Sequence, residues 1–247
     1  MSAIRTARER ARAELTGEIK AEARRQLAAR GAQQLSLRAV ARELGMASSA
    51  LYRYFPSRDD LLTSLIIDAY DALGESVEKP GLALPAADAR SRWRACCHAV
   101  RDWALAHPHE YALIYGSPVP GYQAPAETIG PAGRVAAVIG GVLAQAWSAR
   151  AAGQGQAARS LPAEPLTEPL TEPLAEPLAG QARLVAEAIA PGVPEAMIAR
   201  GLIAWTQLFG MVSFELFGQL VGSADPADAF FGYAVEQMAD FLGIPRV

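Results

Sequence analysis

Apolar positions recur at four-residue spacing early in the chain. Leu15, Ile19, Ala23 and Leu27 form one stripe, with Arg and Glu on the other faces. The period predicts an amphipathic helix over residues 6–30, ended by Gly31. Ser36 is placed to cap a second helix, Leu37–Leu44, whose inner side is Leu37, Val40, Ala41 and Leu44. Gly45 supplies a sharp turn. A short third helix is expected over Ala47–Phe55, with Leu51 and Phe55 facing inward and Pro56 as its stop. Ser57 and Asp60 resemble a capping box that opens a fourth helix. Leu61, Leu62, Leu65, Ile66 and Tyr70 give that helix its core face to about Val77.

The pattern breaks at Lys79-Pro80-Gly81, and residues 79–88 read as a loop or linker. A long helix begins near Asp88 and carries Trp93, Cys97, Val100 and Trp103. Pro108 opens a short one with Tyr111, Ile114 and Tyr115, and Gly116 closes it. Residues 117–131 read as loop and 132–150 as helix. Residues 151–180 contain Glu-Pro-Leu-Thr/Ala four times between 164 and 179, and proline at every fourth position forbids both helix and sheet interior. This stretch reads as a flexible linker. A short helix over 181–190 and two long ones, Pro194 to about Val221 and Pro226 to Leu242, complete the chain. Ile203, Leu208, Met211, Val212, Phe214, Leu216, Phe217 and Leu220 cover more than one helical face. A helix apolar on several faces needs a second surface to bury against, so residues about 194–242 are expected to form a homodimer interface. Gly201–Gly222 is about long enough to span a bilayer, but it holds Gln207, Glu215 and Gln219. It reads as a buried or interface helix, with no membrane partner.

Ala and Leu dominate the composition, and period-two runs of β-branched residues are missing. The fold class is all-α: an N-terminal three-helix head joined by a fourth helix to a C-terminal helical bundle. The expected domains are 1–60, with a core at 7–55, and 61–247, with the Pro-rich linker at 151–180. Residues 1–62 hold twelve Lys/Arg against seven Asp/Glu, a balance of +5, whereas the whole chain carries −3. A basic head on an acidic body suits nucleic-acid binding, and equally a solvated Arg-rich helix. The two cysteines, Cys96 and Cys97, are adjacent, so no disulfide framework is implied, which fits a reducing, cytoplasmic setting without a secretory leader.

Two short helices joined by a glycine turn form a helix-turn-helix at 36–54, whose second helix enters the major groove. A reading helix projects small or polar groups outward and is held by apolar ones. Ser48, Ser49, Ala50 and Arg53 face outward over Leu51 and Phe55. Arg53 suits a bidentate contact to guanine. Ser36, Tyr52, Tyr54 and Arg58 suit phosphates. The run Leu44-Gly45-Met46-Ala47-Ser48-Ser49-Ala50-Leu51-Tyr52-Arg53-Tyr54-Phe55-Pro56-Ser57-Arg58-Asp59-Asp60-Leu61-Leu62 resembles the TetR-family signature. Ala47 stands where that family often has Ser, and Ser49 where it has Gly. The first weakens the usual cap, for which Ser48 is the available substitute. The segment Trp103-Ala-Leu-Ala-His107-Pro-His109-Glu-Tyr111, then Tyr115-Gly116, looks like the regulatory domain of a TetR subgroup. The resemblance implies a DNA operator as partner, a ligand pocket and a dimer interface in the C-terminal part.

Trp93, Trp103, His107, Tyr111, Tyr115 and Trp147 are the candidates for lining a pocket for an apolar or amphipathic effector, with ordinary bundle core as the competing reading. His98, His107 and His109 lack metal-site spacing, and no CxxC or HExxH occurs. No phosphate loop or nucleophile motif is present, so neither an enzyme nor a cofactor is expected. The reading is a ligand-released transcriptional repressor. The alternative is a helical small-molecule binding protein that no longer binds DNA.

Overall fold

The computed structural model describes residues 2–85, 88–157 and 173–246, and every regular element among them is helical. In chain order the helices are α1 (Ser2–Arg30), α2 (Leu37–Glu43), α3 (Ser48–Leu51), α4 (Arg58–Ala83) and α5 (Ala89–Ala106). They continue with α6 (Pro108–Tyr115), α7 (Ile129–Ala157), α8 (Leu178–Ile189), α9 (Glu195–Leu216) and α10 (Ala227–Phe241). Short 3-10 turns occupy Ala32–Gln34 and Ala126–Thr128. The all-α expectation holds.

The chain divides into two compact units. The first comprises the residues up to Asp71 together with His107–Pro131, and the second comprises Ala72–Ala106 and the residues from Ala132 onward. The division differs from the one drawn at 60/61, because the core of the first unit is larger than three helices. Ile19, Ala23 and Leu27 of α1 meet Leu37, Val40 and Ala41 of α2, Leu51 and Phe55, and Leu61, Leu62, Leu65 and Ile66 of α4. Tyr70, Leu113, Ile114, Val119 and Tyr122 pack on that cluster. Charge adds to it. Arg24 binds Asp68 at 2.7 Å and Glu110 at 3.0 Å, which ties α1 to both α4 and α6.

Local chemistry explains the turns of the head. Ser36 has extended backbone, and its Oγ accepts the Ala39 N–H at 3.4 Å, capping α2. At the other end Gly45 takes φ +64°, the left-handed region where a side chain is strained. Its N–H bonds the Arg42 carbonyl and the Met46 N–H bonds the Ala41 carbonyl, the two closing bonds of a Schellman motif. The same arrangement at Gly218 ends α9 at Leu216, five residues before the expected Val221. The expected 47–55 helix is a single α-turn, Ser48–Leu51. Beyond it the Arg53 and Tyr54 N–H groups bond three residues back. Ala47 offers no side-chain cap and Ser48 does not replace it. Pro56 disfavours helical backbone at Phe55.

Two expected loops are helical. α4 runs through Pro80 to Ala83. A proline in the last turn forfeits one backbone bond, and the Gly81 carbonyl is taken up by Arg92 Nε at 2.7 Å. α7 begins three residues early and reaches Ala157, so the expected 151–180 linker starts inside a helix and ends in α8. Residues 158–172, with most of the Glu-Pro-Leu repeat, lie outside the described residues.

The second unit buries Trp93, Cys96, Cys97, Val100 and Trp103 of α5, Val135, Ile139 and Val142 of α7, Leu208 and Val212 of α9, and Phe231, Val235 and Met238 of α10. The Trp93 indole N–H donates to the Val235 carbonyl at 3.0 Å. Arg101 grips Glu215 with two bonds of 2.7 and 2.6 Å and also pairs with Asp228. Arg90 pairs with Glu236 and Asp240. These pairs bind α5 to α9 and α10 and leave two buried cations neutralised. α9 and residues 126–152 are long and apolar enough to cross a membrane by length and composition. α9, however, places Ala204, Leu208, Phe209, Met211 and Val212 in the core of its own unit.

Candidate nucleic-acid interface

α3 sits on the head through one residue. Leu51 is fully buried, while Ser48 and Ser49 are exposed, Ala50 is half-exposed, and Tyr52 and Arg53 project beyond the turn. Five of the eight residues expected to touch DNA therefore lie on one short ridge. Burying Leu51 is worth about 2–5 kcal/mol, judged by leucine truncations in cores, so α3 is held without any contribution from its outer face.

The remaining three divide by environment. Ser36 is half-buried and occupied as the cap of α2. Tyr54 is half-buried on the core, with the Arg12 guanidinium 5.3 Å from its ring centroid. Arg58 has partners within the head. Its Nη2 donates to the Ala32 carbonyl at 2.9 Å and its Nε to the Leu35 carbonyl at 3.2 Å, with Gln33 within reach at 3.4 Å. The guanidinium thus fastens the 3-10 turn that leads into α2. These carbonyls account for a cation in the first turn of α4, where the helix dipole does not favour one.

Two exposed arginines escaped the sequence reading. Arg38 stands in the first turn of α2, and Arg12 of α1 donates to the Arg53 carbonyl at 3.4 Å. On an amphipathic helix an outward arginine looks solvated. Only the fold shows Arg12, 41 positions away, beside the reading turn.

The six aromatic and histidine candidates are divided between the two units. Trp93, Trp103 and Trp147 belong to the second unit, and His107, Tyr111 and Tyr115 to the first. Trp93 and Tyr111 are fully buried, His107 is exposed as the N-cap of α6, and the Tyr111 and Tyr115 rings lie tilted with centroids 5.2 Å apart. Burial raises the Tyr115 hydroxyl well above its ordinary range. The second unit contains a separate cleft of about 310 Å³, bounded by α7, α8 and α9. Ile139, Leu143, Val185, Ile198, Leu202 and Trp205 contribute apolar surface, and none of the six candidates lines it. Two glycines set its floor. A Cβ on Gly140 would fall 2.5 Å from the Ile189 carbonyl oxygen, and one on Gly201 would fall 2.9 Å from Leu143. Periodicity along the chain carries no sign of a close helix crossing at either glycine.

Cys96 and Cys97 are fully buried and unbridged, and burial pushes the Cys96 thiol up to about 11. Both are protonated core residues at neutral pH. Among the described residues no group of three or more His, Cys, Asp or Glu side chains is arranged to hold a metal.

Residues 19–65 match the family described as bacterial regulatory proteins, tetR family, and residues 93–238 match the tetracyclin repressor-like C-terminal domain. The HTH-type transcriptional regulator Rv1816 of Mycobacterium tuberculosis strain H37Rv is 37% identical over 209 residues, which span 85% of this chain and 83% of that protein. A Mycobacterium bovis counterpart, Mb1846, matches to the same extent. The crystal structure of SCO4313 is 31% identical and superposes with a TM-score of 0.69 over 94% of this chain and 98% of that one. A protein from Rhodococcus sp. RHA1, 22% identical, shares the fold with a TM-score of 0.62 over 94% of this chain and 96% of its own.

Proposed function

The chain belongs to the TetR family of bacterial regulatory proteins, and from that membership we propose that it is a homodimeric repressor released from a two-fold operator by a small apolar or amphipathic effector. Membership itself makes it a helix-turn-helix transcriptional regulator and not an enzyme. The repressor sign, the operator and the effector are the proposal.

The carrying observation is the exposed ridge of α3, Ser48, Ser49, Tyr52 and Arg53 above the buried Leu51. Arg53 reads a base edge, and Ser48 and Ser49 contribute small polar contacts close to the groove floor. Tyr52 and Tyr54, with Ser36, set the register on phosphates, and Arg12 and Arg38 add charge beside them. Pairing of two subunits rests on the exposed apolar side chains of the last helices. Ile203, Phe214 and Tyr233 are 52%, 54% and 65% exposed. A closed dimer would present two reading helices to half-sites about one helical turn apart. The effector reading rests on the apolar cleft of the second unit, whose volume lies in the range of small-molecule sites. The effector acts through its differential affinity for the operator-competent and released conformations. The proposed working compartment is the cytoplasm.

Selection of genomic fragments on the full-length protein, followed by footprinting, tests the reading. The expected result is a palindromic site. Within it, Arg53→Ala relaxes base preference, whereas Tyr52→Phe weakens binding to all sequences alike. Failure to enrich any sequence over bulk DNA would favour the alternative, a helical binding protein whose head no longer reads DNA.

A further inference from the structure

Three arginines of α5 are buried: Arg90, Arg92 and Arg101 are 5%, 8% and 6% exposed. Arg90 and Arg101 each face two carboxylates. Arg92 faces none within 4 Å among the described residues. Its Nε donates to the Gly81 carbonyl at the end of α4, and its Nη1 donates to the Gln145 side-chain oxygen of α7. Both acceptors are neutral. Cys96, one turn further along α5, supplies no counter-charge either, since its thiol is protonated at neutral pH. Nη2 has no acceptor among the described residues.

A guanidinium keeps its charge inside proteins. A desolvated charge without a counter-ion is costly, and natural structures pair such groups or use them. Here three helices hold the guanidinium plane by two of its edges and leave the Nη2 edge unused. The arrangement is that of a pre-oriented anion receptor. We propose that Arg92 binds the carboxylate of a small organic acid, at a site of the second unit separate from the apolar cleft. On α7 the two are distinct. Gln145 lies on the helix face opposite Ile139, Gly140 and Leu143, which line the cleft. The inference goes beyond the effector reading above and does not depend on the DNA contacts.

The full-length protein is titrated with sodium benzoate and sodium decanoate, and in parallel with benzyl alcohol and decanol, at constant ionic strength and neutral pH. Heat of binding and melting temperature are read together. The carboxylates are expected to bind about 10- to 100-fold more tightly than the alcohols, the range for a charge-assisted hydrogen bond. Arg92→Met is expected to lose that advantage. Gln145→Glu places a carboxylate beside the guanidinium, so it should raise the melting temperature of the ligand-free protein and abolish the carboxylate response. Equal binding of carboxylates and alcohols by the unmodified protein overturns the proposal. So does a Gln145→Glu variant that responds to carboxylates as before. Should Arg92→Met fail to fold, the comparison of probes and the Gln145→Glu variant decide. Operator retention in the same samples is a separate reading: its absence, with carboxylate binding intact, sinks the repressor reading and leaves the anion site standing.

Discussion

Arg58 shows how a single residue changes its reading once partners are visible. In sequence it is a candidate phosphate contact, since a cation in a helix's first turn does not favour the dipole. In the structure it holds three carbonyls of the turn that positions α2. Arg58→Ala is therefore expected to lower head stability by about 2 kcal/mol, the scale of a few charge-assisted hydrogen bonds at a partly exposed site. A lowered urea midpoint in equilibrium denaturation is the check. Weaker DNA binding with unchanged stability would instead support the phosphate role. Arg53 has the opposite character. Its side chain is exposed, so Arg53→Ala should leave the midpoint within about 0.5 kcal/mol of the parent. Leu51, Ile19 and Val40 needed no partner to be read correctly, because an apolar residue at the right phase has one destination.

At the scale of elements, α3 is the weak piece. It is one turn long and is capped by Ala47, whose backbone is extended as a cap requires but whose side chain offers no acceptor. Ala47→Ser is expected to stabilise the head by about 0.5–2 kcal/mol, seen as a raised urea midpoint. No gain would mean that the turn is set by Leu51 and Pro56 alone. Helix ends were legible where the stop signal was unambiguous, as at Gly31, Gly45 and Gly116. They were misplaced at Pro80, Arg150 and Val221. Proline near a C-terminus is compatible with helix if the freed groups are bonded, and the bond at Gly81 comes from Arg92, eleven positions away. Gly218 ends α9 through a Schellman motif hidden in an apolar run, where hydropathy gives no stop.

The whole molecule depends on charge as well as apolar burial. Asp240 is held down to about 2, first by Arg246 and then by Arg90, and Glu236 is lowered by Arg94 and Arg90. A carboxylate whose folded value lies below its unfolded value contributes stability above the unfolded value, and loses it as pH falls through the folded one. Thermal stability is therefore expected to be flat from pH 7 to about 5 and to fall between roughly pH 4 and 2. Asp240→Asn should flatten part of that fall; an unchanged acid limb would show that the network is idle. The proposed pairing surface gives a second whole-molecule test. Phe214→Glu is expected to yield monomers by sedimentation and to abolish operator binding, and a dimeric variant would move the interface elsewhere.

By itself the sequence determined the helical class, the core stripe of the head, the glycine turn and the outward ridge of α3. Each depends on periodicity or on one residue's backbone preference, which are local properties of the chain. Tertiary structure alone decided which unit α6 joins, that Arg12 lies beside the reading turn, and that Arg92 lacks the carboxylates its neighbours on α5 possess. It also decided where the apolar cleft opens, since Gly140 and Gly201 matter only through the backbone and side chain that approach them. Such features depend on pairs of residues far apart in sequence, and no pattern along the chain encodes which distant groups meet.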